Sequence, residues 1–137
     1  MKADPQTEAA VLAVLGRLAD VYVTRDVAVL STVFAADPDV FMFSPGAERI
    51  VGLGDIMAKA RRDWARSDAA SLEYRSTSVS AAGSVAWAAT GADFSLRAGG
   101  QQTTTPVHIS FVLERRGDEW LIVHAHYSLA PTRPAAD

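Results

Sequence analysis

Three histidines in the C-terminal third of the chain are of the residue type that most often binds metals and transfers protons near neutral pH. His124 and His126 are separated by one residue, so on a β-strand both imidazoles point to the same sheet face, about 7 Å apart. His108 could join them from a neighbouring strand. The three imidazoles could bind zinc or form hydrogen bonds at an interface. Because no carboxylate is placed nearby to orient the rings, we predict no metal site. For His126 we also consider proton transfer, and we include this histidine in the predicted catalytic set.

Asp93 and Tyr127 are two further polar side chains of this β-rich half that could do chemistry. A buried carboxylate without a partner is costly, so Asp93 is expected to form an ion pair, to lie at the mouth of a cavity, or to act as an acid or base. The Tyr127 hydroxyl either forms a simple structural hydrogen bond or takes part in catalysis. With His126, these two residues form the predicted catalytic set.

The N-terminal half supplies the helices that must position these groups. Asp4-Pro5 begins a long helix whose apolar residues recur at three- and four-residue steps, which predicts one buried stripe. The stripe consists of Val11, Val14, Leu15, Leu18 and Tyr22. A shorter helix is predicted from Asp26 to Phe34, and a third opens at Asp55 with Trp64 inward and its basic residues outward.

Four β-rich runs separated by glycine-containing turns then predict an antiparallel meander. They are 72–80, 84–96, 103–115 and 120–128, and a short strand at 40–43 precedes them. Helices followed by strands indicate an α+β fold with the helices on one face of the sheet. Strict alternation along the last run places Ile122 on one face and Val123 and Tyr127 on the other. Neither face looks polar, so we expect the outer one, with Ile122, to bind a second subunit.

Size and composition limit the classes of function. The chain has 137 residues, of which 49% are hydrophobic and 21% charged, which predicts one domain over 1–131 and a disordered tail at 132–137. The net charge of −3 and the scattered basic residues argue against nucleic acid as a partner. The absence of cysteine removes thiolate chemistry, and no apolar run is long enough to span a membrane. We expect a cytoplasmic protein.

The segment WLIVHAHYS at 120–128, followed by Ala130-Pro131, resembles the end of the calcium/calmodulin-dependent kinase II association domain. It is also similar to bacterial SnoaL-like domains. Both belong to the nuclear transport factor 2-like superfamily, and the order of predicted elements extends the resemblance over nearly the whole chain. The resemblance implies a cone-shaped roll, with three helices packed on a strongly curved, mainly antiparallel sheet around an internal cavity. This fold hosts isomerases, cyclases, epoxide hydrolases and non-catalytic oligomerisation modules.

Several positions depart from these relatives. Gly91, Phe111 and Tyr127 stand where the kinase domains have basic cavity residues, so we expect no anion-binding arginine cluster. The carboxylate of ketosteroid isomerases has no counterpart in 40–44, and their first-helix tyrosine corresponds to Leu18. The Asp-Arg-Asp arrangement of epoxide hydrolases cannot be assembled here.

The register of the last hairpin, 116–119, stays open because loops of two and three residues both fit its sequence. A slip of one residue exchanges the two faces of a strand. The resemblance places Phe111 and Tyr127 on one face and His124 and His126 on the other, and we adopt that register.

The resulting hypothesis is a homodimer, joined through the outer sheet face, that binds a small hydrophobic ligand in a mainly apolar cavity without a cofactor. If it is an enzyme, the expected chemistry is acid–base isomerisation or cyclisation. The alternative is a non-catalytic oligomerisation module, in which the aromatic residues form plain core. The residues predicted to line the cavity are Leu18, Tyr22, Phe43, Trp64, Trp87, Phe111 and Val123.

Overall fold

The described residues form three helices and six strands. The computed structural model describes residues 1–45 and 48–131, so the tail predicted at 132–137 lies outside the described residues. The helices are α1 (Pro5–Thr24), α2 (Leu30–Val33) and α3 (Leu53–Ala65), with a 3-10 turn at Val27–Val29 before α2. The strands are β1 (Phe41–Ser44), β2 (Glu48–Val51), β3 (Ala69–Ala82), β4 (Val85–Ala98), β5 (Gln101–Arg116) and β6 (Glu119–Leu129).

The strands form one sheet in the order β2-β1-β6-β5-β4-β3. All neighbouring pairs are antiparallel except β1 with β6, which run parallel. The sheet curves around the helices, which confirms the predicted α+β class. Strand β2 was not predicted, because its sequence, Glu48-Arg49-Ile50-Val51, lacks the apolar run that marks β1.

The cap and the apolar stripe of α1 follow directly from the sequence. The Asp4 carboxylate accepts a hydrogen bond of 2.8 Å from the backbone N–H of Thr7, and Pro5 occupies the first turn, where its missing N–H costs nothing. The stripe packs onto the inner face of the sheet, and the Tyr74 hydroxyl of β3 donates to the backbone oxygen of Leu15 at 2.8 Å. The helix ends at Arg25, whose N–H bonds the Val21 carbonyl at 2.7 Å.

A β-bulge in β6 decides which side chains face the helices. Val112 of β5 pairs with His124, but the next residue, Leu113, pairs with Ile122, so Val123 is the extra residue of the bulge. The bulge therefore brings Ile122 and Tyr127 to the same inner face, where Ile122 is fully buried and Tyr127 is 8% exposed. The predicted strict alternation of side chains along β6 is therefore wrong. The predicted placement of Ile122 at a subunit interface, which depended on it, is wrong as well.

Helix α3 is attached more loosely than α1. Ile56 is its one buried residue. The helix as a whole packs mainly against β2, α2 and the 3-10 turn. A cavity is left between α3, α1 and the inner face of the sheet. Among the described residues, no helix combines the length and apolar character that crossing a membrane would require.

Candidate ligand-binding site

The cavity has a volume of about 210 Å³ and mostly apolar walls. Helix α1 contributes Leu18 and Val21, and the sheet contributes Leu72, Phe94 and Val107. The polar side chains on its wall are Ser44, Tyr22, Tyr127, Lys59 and Asp63. Few polar groups in an apolar cavity are the usual arrangement of a small-molecule site.

A pair of tyrosine hydroxyls lies on this wall. The Tyr22 hydroxyl of α1 lies 3.3 Å from the Tyr127 hydroxyl of β6 and donates the hydrogen bond between them. Edge-to-face contacts hold both rings: Tyr22 lies 6.3 Å from Trp64 and 6.0 Å from Phe94, measured between ring centroids. Tyr127 lies 6.2 Å from Phe111 in the same way.

Burial keeps both hydroxyls protonated. Loss of hydration is the main cause that raises the pKa of Tyr22. The hydrogen bond with Tyr127 lowers this pKa, and the negative charge of Asp63 raises it, but neither outweighs the loss of hydration. Loss of hydration also raises the pKa of Tyr127 well above its usual value. At physiological pH the pair therefore acts as a neutral hydrogen-bonding group.

Ser44 adds a third hydroxyl beside this pair. Strand β1 runs along β6 with Phe43 next to His126, so the following residues, Ser44 and Tyr127, are neighbours on the inner face. The Ser44 Oγ is buried and has no hydrogen-bond partner among the described residues. A buried hydroxyl without a partner is uncommon, and Ser44 was not singled out from the sequence.

Lys59 and Asp63 bring charge to the α3 side of the cavity. They form an ion pair one helical turn apart, with side chains 20% and 48% exposed respectively. Both line the cavity together with Ile56, Ala60 and Trp64. The basic residues of α3 were predicted to point outward and this pair was missed, although Ile56, Lys59 and Asp63 follow the three- and four-residue spacing of one helix face.

The predicted lining residues divide between the two faces of the sheet. Leu18, Tyr22 and Trp64 lie on the cavity wall. Phe111 is fully buried on the inner face behind Tyr127 and does not reach the cavity.

Phe43 and Trp87 lie on the outer face, and Val123 is the extra residue of the bulge. None of the three is on the cavity wall, so their predicted lining role is wrong. Phe43 follows the inward-facing Met42. Trp87 sits between two fully buried alanines of β4 and therefore points outward. Val123 belongs to the bulge.

The structure does not bring the predicted catalytic set together. Tyr127 lines the cavity, whereas Asp93 and His126 are on the outer face. Asp93 pairs there with Arg75, with 2.7 Å between Oδ1 and Nη1, which is the structural interpretation considered for this carboxylate. His126 is exposed and lies beside the Phe43 ring.

The two other histidines also lie on the outer face. His124 Nδ1 is 2.9 Å from the Phe41 carbonyl oxygen, and because a carbonyl can only accept, this nitrogen carries the proton. His108 pairs with Ser128 across the sheet. No group of three histidine or carboxylate side chains able to hold a metal occurs in the parts of the chain that the structure describes.

Similar structures place this architecture among known folds. A candidate dehydratase of the nuclear transport factor 2-like family from Streptomyces avermitilis superimposes with a TM-score of 0.85 at 17% identity, over 93% of this chain and 100% of that one. A candidate aromatic ring hydroxylase from Novosphingobium aromaticivorans gives 0.84 at 16% identity, over 96% and 94%. A nuclear transport factor 2-like superfamily protein from Salmonella enterica gives 0.83 at 17% identity, over 96% and 98%. At such identities the likeness shows the fold alone.

Comparison with curated protein sequences finds no match. The model of the SnoaL-like domain family matches residues 11–132, which cover nearly all of the described elements. The chain therefore belongs to the SnoaL-like domain family.

Proposed function

We propose that this SnoaL-like domain binds a small, mainly apolar molecule in the cavity between α1, α3 and the sheet. The observation that carries the proposal is an apolar cavity of about 210 Å³ that contains a buried pair of tyrosine hydroxyls. Plain core packing would leave few voids of this size, and the unpartnered Ser44 Oγ is a further polar group for a ligand to contact.

The cavity volume limits the size of the ligand. A cavity of about 150 Å³ accommodates benzene, so about 210 Å³ suits a single ring with a short substituent. Fused multi-ring compounds would need the walls to move apart. The name of one structural neighbour, a candidate aromatic ring hydroxylase, agrees with a ring-shaped ligand.

A cavity-filling variant tests ligand binding directly. Single-ring compounds such as acetophenone are titrated into ¹⁵N-labelled protein, and the resonances of Tyr22, Trp64 and Tyr127 are followed. Ala60→Phe places a ring into the cavity and should abolish binding, whereas Ala58→Phe, on the same helix but not on the cavity wall, should retain it. If no single-ring compound shifts these resonances, or if Ala60→Phe binds as well as wild type, the proposal fails.

Acid–base catalysis on the bound molecule is the enzymatic extension of the proposal. Asp63 is the acidic side chain on the described cavity wall, and Tyr127 can donate a hydrogen bond to a developing oxyanion. Asp63 and Tyr127 together suit a cofactor-independent isomerisation or cyclisation. Asp93 and His126 face away from the cavity and take no part.

Deuterium exchange tests this extension with a simple ketone. Asp63 would remove a methyl proton of acetophenone, and D₂O would return a deuteron to the same carbon. Wild-type protein should speed this exchange, as followed by ¹H NMR, and Asp63→Asn should lose the acceleration while still binding acetophenone. Exchange at the uncatalysed rate in wild type would limit the domain to binding.

A homodimer through the outer sheet face completes the proposal. Phe41, Phe43, Trp87 and Val112 form an outer apolar patch around His124, and all four are only partly buried in the single chain. Apolar patches of this kind mark interfaces more often than free surface. The alternative function, a non-catalytic oligomerisation module, uses the same patch but predicts that Ala60→Phe changes nothing measurable.

A further inference from the structure

The Tyr22–Tyr127 pair has one proton to spare. Two hydroxyls that share one hydrogen bond use one proton between them, whichever of them donates. With Tyr22 donating to Tyr127, the Tyr127 proton has no acceptor among the described residues. Because both side chains line the cavity, the matching ligand atom is a hydrogen-bond acceptor.

The charges on the cavity wall decide whether this acceptor is neutral or anionic. Lys59 and Asp63 are the charged side chains among the described lining residues, and they are paired with each other. On the part of the wall that the structure describes, no ammonium or guanidinium is therefore left for an anion, and the Asp63 charge acts unfavourably on negative charge at Tyr22. A carboxylate or phenolate would lose its hydration without gaining a counter-charge.

Ser44 extends the polar part of the site. Its buried Oγ lies on β1 next to Tyr127 on the inner face, so a ligand oxygen at the tyrosine pair has a third hydroxyl nearby. Leu18, Leu72 and Phe94 supply apolar wall that suits the ring. The three uncharged hydroxyls therefore form one polar part of the cavity.

We infer that the site selects an uncharged, single-ring carbonyl compound, such as an aryl ketone, with its carbonyl oxygen on the tyrosine hydroxyl pair. This inference rests on the proposed function, since it specifies the ligand of the same cavity. Beyond ligand binding itself, the inference states that the site prefers neutral over anionic ligands, and ligands with a carbonyl oxygen over ligands of the same shape without one.

Three compounds of nearly equal shape test the inference. Acetophenone carries the carbonyl oxygen, α-methylstyrene has a CH₂ group in its place, and benzoate is anionic at neutral pH. Dissociation constants are measured by NMR titration at pH 7 for wild type and for Tyr22→Phe/Tyr127→Phe. Removing both partners of a buried hydrogen bond is nearly neutral for stability, so the double variant should fold.

For wild type, benzoate should bind about tenfold more weakly than acetophenone or not at all. The double variant should weaken acetophenone about fivefold, the worth of one hydrogen bond, and leave α-methylstyrene within about twofold. Equal effects of the double variant on both neutral compounds, or benzoate as the tightest ligand, would overturn the inference.

The two proposals can fail separately. If α-methylstyrene binds and Ala60→Phe blocks it, but the hydroxyls make no difference, the cavity binds ligands and the carbonyl preference is wrong. If none of the three compounds binds and the wider set of single-ring compounds also fails, the proposed function fails and the inference fails with it.

Discussion

The guanidinium of Arg25 binds Ser67 twice: Nη1 lies 2.9 Å from the Ser67 carbonyl oxygen and Nη2 lies 2.8 Å from its hydroxyl. Nη1 also donates to the Trp64 carbonyl at 2.8 Å. Arg25 ends α1, and the other two residues lie at the C-terminal end of α3, so these bonds tie the two helices together. The same helices carry Tyr22 and Trp64 on adjoining walls of the cavity.

Arg25→Asn should loosen α3 without breaking α1. Arg25 has a positive φ of 61°, a conformation that asparagine tolerates better than most residues, so the substitution removes the guanidinium bonds and keeps the helix end. We expect a loss of about 2 kcal/mol in the free energy of unfolding and faster amide hydrogen exchange over 53–65. Exchange is measured by mass spectrometry.

Arg66→Asn is the matched control for this change. Arg66 is exposed and follows α3 directly, so the control removes the same charge near the same helix end. Equal stability and equal exchange in the two variants would show that Arg25 does not hold α3.

Two glycines at the start of α3 should respond to alanine with opposite signs. Gly52 has a φ of 85° and a ψ of 152°, a region essentially confined to glycine, so Gly52→Ala should cost about 1–3 kcal/mol. Gly54 lies inside the helix, with open space where an alanine methyl group would lie, so Gly54→Ala should stabilise by up to about 1 kcal/mol. Urea denaturation measures both, and a stabilising Gly52→Ala would refute the strain argument.

Asp37 should make stability depend on acid pH. Its two carboxylate oxygens each lie 2.6 Å from a nitrogen of Arg116, and these hydrogen bonds are the main cause that lowers the pKa of Asp37 below its usual 3.8. Because the folded-state pKa is lowered, the stabilisation is present at neutral pH and disappears as the pH falls through that pKa.

Asp37→Asn should therefore be less stable than wild type at pH 7, and the difference should vanish at the acid end, below pH 3.8. Thermal unfolding across this range measures the difference. Asp39→Asn is the control in the same loop, since Asp39 is exposed and has no ion pair among the described contacts. A difference that persists unchanged into acid would exclude the Arg116 pair as its cause.

Val112→Asp should break the proposed dimer. Val112 lies on the outer face between Trp87 and His124, where an interface would bury the new carboxylate without a partner. Thr104→Asp, exposed at the far end of the same strand, should leave assembly unchanged. Sedimentation velocity measures both, and a Val112→Asp variant that assembles like wild type would rule out this interface.

Local sequence patterns predicted the elements well but not their long-range pairing. The α1 stripe follows from apolar residues at helical spacing, and the Asp4 cap from its position before Pro5. Strand β2 is defined by its pairing with β1 rather than by a pattern of its own. The parallel neighbour of β6 likewise comes from the other end of the chain.

The assignment of sheet faces failed where alternation is interrupted or carries no signal. The bulge at Val123 moves Tyr127 onto the same face as Ile122, and nothing in the sequence 120–128 marks the extra residue. Trp87 was predicted to line the cavity, although its alanine neighbours face inward. Tyr22 and Trp64 were placed on the wall by helical periodicity, which no bulge disturbs.

A crystal structure of the protein with acetophenone would show whether the cavity holds the ligand. We expect density for one ring in the cavity beside Leu18 and Trp64, with the carbonyl oxygen about 3 Å from the Tyr127 or Tyr22 hydroxyl. An empty cavity at saturating acetophenone, or a ring bound only on the outer face, would contradict it.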